Sequence, residues 1–318
     1  MSETSEASER RKSTSLISTI ERLETGNADL EFVIASCREL GHVEHQDEWR
    51  CILTEKVQPS EILRTMACHE GDPNVVEKCC IVLENLALSD DTCQAVSEAG
   101  ATSAVMLAMT SYITNPEVQQ SCCWALASLS RADCVCMELL NIDAFGMLLK
   151  AMTSFPQDLA IQEYGCWALC NLVVIAPELE EDACRSALVL LLDSTQMFMA
   201  NVELIEHVCY AISTLVAVRE CVHVNVVKND GISKLIDLMK KYDDNVDIQL
   251  HSCKVIGNLA VNDNFRRYVE DMGASEAIIS CMLGLEKNAL IQSTGCMTLT
   301  NISAKERGNT INTFILDT

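Results

Sequence analysis

Apolar positions recur at helical spacing along most of this chain, and the helical pattern itself repeats. Leu86, Leu129, Leu172, Leu215, Leu259 and Ile302 stand 43, 43, 43, 44 and 43 residues apart. Three residues before each lies Leu83, Leu126, Leu169, Ile212, Ile256 or Leu299. Three earlier again comes Cys80, Cys123, Cys166, Cys209, Cys253 or Cys296. One further step back, Cys37, Leu40 and Val43 begin a degenerate copy. A fixed period of this length predicts stacked helical units, none of which can bury its own apolar face alone.

An aromatic marker keeps the same register. Tyr112, Phe155, Phe198 and Tyr242 recur just before the helix that carries the cysteine, and Ala108 to Tyr112 nearly repeats as Ala151 to Phe155. Each unit reads as three helical pieces. The first covers a stretch such as Asp90 to Ser97 and ends near Gly100 or Gly273, residues suited to helix termination. The second covers Ala101 to Met109 or Ile232 to Lys241. The third opens near Pro73 or Pro116, where a first-turn proline sacrifices no hydrogen bond. The one extra residue in the period is expected in the Lys228 to Gly231 turn.

The chain divides into a polar N-terminal segment, 1–16, expected to be disordered, a solenoid over 17–304, and a partial repeat or weak cap over 305–318. Only Thr310 to Leu316 offers the start of another helix, so the C-terminal end is expected to be uncapped and open to oligomerisation.

Composition narrows the class. Aromatic residues make up 4% of the 318 residues, and there are 12 Gly and 5 Pro. Such a core is built from Ala, Leu, Ile, Val, Met and Cys, which favours close-packed helices over sheets. The net charge of −23 repels a phosphate backbone and argues against nucleic-acid binding. It suits basic protein partners or plain solubility. The first fifteen residues carry no apolar signal core, and Ser186 to Leu192 is too short to span a membrane.

The 18 cysteines sit inside apolar helical runs, which points to reduced thiols in a cytoplasmic, or else nuclear, protein. A 43-residue period places equivalent thiols roughly 10 Å apart in successive layers, too far for one metal. No cofactor is expected. The chain has no P-loop, GxGxxG, GxSxG or HExxH pattern, so no enzymatic activity is expected.

The stretch Gln162-Glu163-Tyr164-Gly165-Cys166-Trp167-Ala168-Leu169-Cys170-Asn171-Leu172, with the period, resembles the armadillo-repeat family. The resemblance covers about Phe32 to Ala304. It implies an all-α, armadillo-type right-handed solenoid of six to seven three-helix repeats. HEAT repeats are the nearest alternative, and the glycine between the first two helices argues against them.

The resemblance also implies a concave groove lined by third helices, where a ladder of asparagines bonds the backbone of an extended peptide. The equivalent positions are Asn85, Ser128, Asn171, Thr214, Asn258 and Asn301. One turn earlier stand Ile81, Trp124, Trp167, Tyr210, Lys254 and Met297, and another turn earlier Glu77, Gln120, Glu163, Glu206, Leu250 and Ser293. The middle helices therefore present carboxylate or amide, aromatic ring and amide in order. Such a stripe holds the aliphatic stem of a Lys or Arg against a ring, its charge on a carboxylate. The same residues fit half-buried packing between repeats, so both readings stand at this point.

The function expected from the sequence is a non-enzymatic scaffold or adaptor binding protein partners, as extended and basic segments, along that groove. Trp167 with Asn171 is similar to the aromatic–amide pair of the importin-α adaptors, whose carrier role for basic peptides is one alternative. Lys254 departs from that pattern. The other alternative is an assembly subunit that associates through its solenoid ends.

Overall fold

The structure, a computed structural model, describes residues 57–304 except 88 and 176–178, together with Thr54. The expectations for 1–16, for the copy at Cys37 to Val43 and for 305–318 lie outside the described residues. Every regular element within them is helical, and the chain is an all-α solenoid. It divides into two compact units at Ser154.

The first unit contains α1 (Pro59–Cys68), α2 (Pro73–Leu86), α3 (Asp90–Glu98), α4 (Ala101–Ser111), α5 (Pro116–Leu129), α6 (Asp133–Asn141) and α7 (Ala144–Ser154). The third helices α2 and α5 pack on each other. Both open on proline, as the sequence predicts, and the preceding Asp72 or Asn115 caps them by accepting from a backbone N–H of the first turn. Short first helices α3 and α6 fill the gap between layers, and Glu138 on α6 accepts from Ser97 and Thr102.

The second unit contains α8 (Leu159–Ile175), α9 (Glu181–Met197), α10 (Val202–Val218), a 3-10 turn (Glu220–Val222), α11 (His223–Lys228), α12 (Gly231–Lys241), α13 (Val246–Ala260), α14 (Asp263–Asp271), α15 (Ala274–Gly284) and α16 (Ala289–Ser303). Here the third helices stack in sequence, α8 on α10, α10 on α13 and α13 on α16. Their facing side chains are buried Leu, Ile, Val, Ala and Cys, including Cys166, Cys209 and Cys253.

Two details differ from the expected pattern. The repeat between α8 and α10 has one long helix, α9, instead of separate first and second pieces. Arg185-Ser186-Ala187 stands where other repeats turn, and none of the three is suited to a left-handed conformation. Elsewhere that turn needs one residue at positive φ, supplied by Gly100, Asp143, Asp230 and Gly273. From each of these to the next helix-ending aromatic or leucine the spacing is constant. The extra residue therefore falls before Asp230, where α10 runs on to Val218 and a 3-10 turn replaces the start of the first helix. The Lys228 to Gly231 turn itself has ordinary length.

Two recurring ties hold each layer together. Gln119, Gln249 and Gln292 each donate through Nε2 to two carbonyls at the end of the preceding second helix, and Gln162 donates to Phe155 O. The aromatic marker reaches the preceding repeat: Tyr112 Oη donates to Glu70 O at 2.5 Å, and Tyr242 Oη donates to Met199 O. The glutamine bonds supply a donor to Met109 O, Met239 O and Met282 O in the last turn of a helix, and the tyrosine bonds reach turn carbonyls just beyond a helix end.

Candidate functional site

The third helices set the candidate face. One side of each turns inward to the aliphatic core. The positions nine, five and one before the anchor leucine share another face, because a turn of helix separates them.

In the second unit Glu163, Trp167 and Asn171 on α8 are all half-buried, as are Glu206 and Tyr210 on α10. The stripe is therefore accessible along one edge of these helices. It is also braced. The imidazole of His207 stacks on Trp167 with ring centroids 5.8 Å apart and planes 4° from parallel. One layer on, His251 meets Tyr210 edge-on at 5.0 Å, and its Nδ1 lies 2.9 Å from Ser213 Oγ. Asn245 Nδ2 donates to Glu206 Oε1 at 2.6 Å.

The electrostatics follow from partial burial. Desolvation pushes the Glu163 carboxyl upward, and the nearby Glu203 carboxylate adds to it. Burial lowers His207, opposed by Glu206 and Glu203, and takes His251 down to about 4, with Lys254 reinforcing that shift and Asp247 opposing it. Both imidazoles are neutral near pH 7, which suits rings packed on aromatic neighbours.

The amide ladder is uneven. Asn85, Asn258 and Asn301 are only 2%, 5% and 6% exposed. Asn85 donates to Ile81 O and Glu84 Oε2 within its own helix, while Asn301 donates to Gly257 O of the layer before it. Ser128 and Thr214 are buried as well. Asn171 is the one rung that is half-exposed. In the first unit Gln120 and Trp124 on α5 repeat the half-buried edge, without a carboxylate.

The in-register cysteines Cys80, Cys123, Cys166, Cys209 and Cys253 are fully buried, and Cys296 on the last described helix is exposed. Every cysteine among the described residues is a free thiol. Cys80 and Cys122 approach to 3.7 Å between sulfurs. Burial pushes Cys79 and Cys209 up to about 12, so these thiols behave as small hydrophobic groups. Among the described residues no three His, Cys, Asp or Glu side chains gather as a metal set.

The sequence reading missed the glutamine ties and the His207 and His251 partners of the aromatic column. Both had a signal. Gln119, Gln162, Gln249 and Gln292 hold one register, and each histidine directly follows a residue of the outer column.

No single described helix is long and apolar enough to cross a membrane. A comparison with curated proteins by sequence finds no match. Among solved structures, an engineered protein is 16% identical with a TM-score of 0.68, covering 91% of this chain and 68% of its own. A second engineered protein is 17% identical with a TM-score of 0.63, covering 77% of this chain and 96% of its own. A designed armadillo repeat protein in complex with the peptide (KR)4 is 17% identical with a TM-score of 0.61, covering 77% of this chain and all of its own. At these identities the likeness shows the fold. The profile described as the LRRK2 ARM repeat matches residues 74–310, most of the chain, and with the stacked third helices it shows that this protein belongs to that armadillo-repeat family.

Proposed function

We propose that the protein is a non-enzymatic scaffold that binds partner proteins as extended segments along the exposed edge of its third helices. The observation that carries this reading is the half-buried series Glu163, Trp167 and Asn171, with Glu206 and Tyr210 on the next helix. An extended segment has unpaired amides and carbonyls at regular intervals, and a carboxamide such as that of Asn171 both donates and accepts. The flat indole, held in place by His207, offers a large contact area with little rotamer entropy to lose. The armadillo fold commonly mediates protein binding, and the designed neighbour is itself a peptide complex. With so many thiols packed between helices, we place this activity in the cytoplasm or nucleus. The test compares proteins that co-purify with wild type and with Trp167→Ala. Partners lost by the variant support the reading, and an unchanged set contradicts it.

A second reading, association through the C-terminal end, is favoured by one comparison. Ile236, Leu192 and Met106 are buried at the position where Ile279 is 47% exposed. Cys296 and Leu299 are likewise more open than their buried equivalents. This is the face on which a following repeat would stack. Light scattering over a concentration series tests it: a mass that rises with concentration, and falls back with Ile279→Lys, supports end association.

A further inference from the structure

The charge along the third-helix edge changes within the second unit, from carboxylates alone to a carboxylate and an ammonium. On α8 and α10 the edge carries Glu163, Glu203 and Glu206. Glu163 and Glu203 are close enough that one carboxylate raises the other's pKa. On α13 the register keeps an acid, Asp247, at the Glu203 position, but places Leu250 where the earlier helices have Glu163 and Glu206, and Lys254 where they have Trp167 and Tyr210.

Lys254 is half-buried and has no ion pair among the described residues. The His251 ring, on which Lys254 and Asp247 act with opposite sign, is bonded to Ser213 and set against Tyr210, and Asn258 follows Lys254 one turn later. Asp247, exposed two turns back on α13, is the nearest acidic side chain of that helix. A half-buried ammonium with no ion-pair partner among the described residues, in a chain of net charge −23, is a site for an incoming carboxylate.

We propose that this edge selects an extended segment of mixed charge, basic where it crosses α8 and α10 and acidic where it crosses α13. The proposal rests on the groove reading above and adds the ligand's charge order. The dimensions agree. Packed helix axes lie roughly 10 Å apart, and an extended chain advances about 3.4 Å per residue, so each layer meets about three residues. An octapeptide spans all three helices. A uniformly basic segment satisfies the carboxylates of α8 and α10 and then meets Lys254 with like charge.

The experiment uses three fluorescein-labelled octapeptides: alternating Lys and Arg throughout, a Lys/Arg half followed by an Asp/Glu half, and the reverse order. Binding to the full chain is read by anisotropy at low salt. One of the two mixed orders is expected to bind at least tenfold tighter than the all-basic peptide, and which order does so gives the direction of the bound chain. Lys254→Glu is expected to reverse the preference toward the all-basic peptide, with helical content unchanged. Equal or tighter binding of the all-basic peptide by wild type, insensitivity to Lys254→Glu, or no binding of any of the three overturns the proposal. Trp167→Ala separates the two claims. If it weakens a peptide that ignores Lys254, the groove stands and the charge order falls; if it changes nothing for a peptide that does bind, the groove falls too.

Discussion

The imidazole of His207 lies flat against the indole of Trp167, and its Nδ1 has no hydrogen-bond partner among the described residues. One layer on, the equivalent nitrogen of His251 meets the hydroxyl of Ser213. The difference traces to one residue. Cys170 occupies the place of Ser213, and its thiol donates instead to the backbone carbonyl of His207 at 3.4 Å. Cys170→Ser should supply the missing partner. A hydrogen bond of this kind contributes about 1 kcal/mol net, offset in part by replacing a buried thiol with a hydroxyl. Stability should stay close to wild type while the His207 Nδ1 resonance shifts in nitrogen NMR. An unmoved resonance contradicts the assigned geometry.

His251 links stability to pH. Its folded value of about 4 lies below the ordinary 6.5, because burial and Lys254 disfavour the imidazolium. Between these values the unfolded chain binds the proton and the folded one does not, so stability rises with pH. The contribution is complete above about 6.5 and is lost as pH falls toward about 4. Urea midpoints should drop through that window in wild type and drop less in His251→Gln. An equal slope in both would remove His251 as the source.

Gln249 tests the ties that close each layer. It is buried and donates to Met239 O at 2.6 Å and to Tyr242 O at 2.9 Å. Gln249→Leu leaves Met239 O without a donor, while Tyr242 O keeps the backbone N–H of Asn245, and should cost about 1–3 kcal/mol in urea unfolding. Gln292→Leu, at a half-buried copy of the same tie, should cost less because water reaches its carbonyls.

The fold was legible because a solenoid writes each contact once per period. The anchor leucines, the cysteine column and the opening prolines of α2 and α5 all report one register. The fusion of two helices into α9 was not marked by any apolar break, since only the absence of a left-handed residue near Ser186 signals it. The site was legible as a set of columns but not in its exposure. Asn85, Asn171 and Asn301 look alike in sequence, yet Asn85 is buried and bonded within its own helix, Asn301 is buried and bonded to the layer before it, and Asn171 is half-open. Exposure depends on what the next layer places opposite, which no single column records.

The described cysteines differ in accessibility. Cys68, Cys134 and Cys296 are exposed, whereas Cys80, Cys123, Cys166, Cys209 and Cys253 are buried. A thiol reagent followed by mass spectrometry should modify the first group in the native protein and the second only after denaturation. Cys166→Asp should destabilise by several kcal/mol, since it buries a charge without a partner. Rapid native labelling of Cys166 would contradict the packing described for α8 and α10.

Calorimetry of a purified co-purifying partner against wild type, Glu163→Ala, Trp167→Ala and Asn171→Ala tests the third-helix edge most directly. Each variant should fold, as its side chain is half-exposed. Asn171→Ala should weaken binding by about 1–2 kcal/mol through lost backbone contacts. Trp167→Ala should weaken it more, as buried aromatic anchors do, and Glu163→Ala should chiefly reduce the salt dependence. Unchanged affinity in all three folded variants would place the binding site elsewhere, and loss of folding in Asn171→Ala would make that residue a packing element instead.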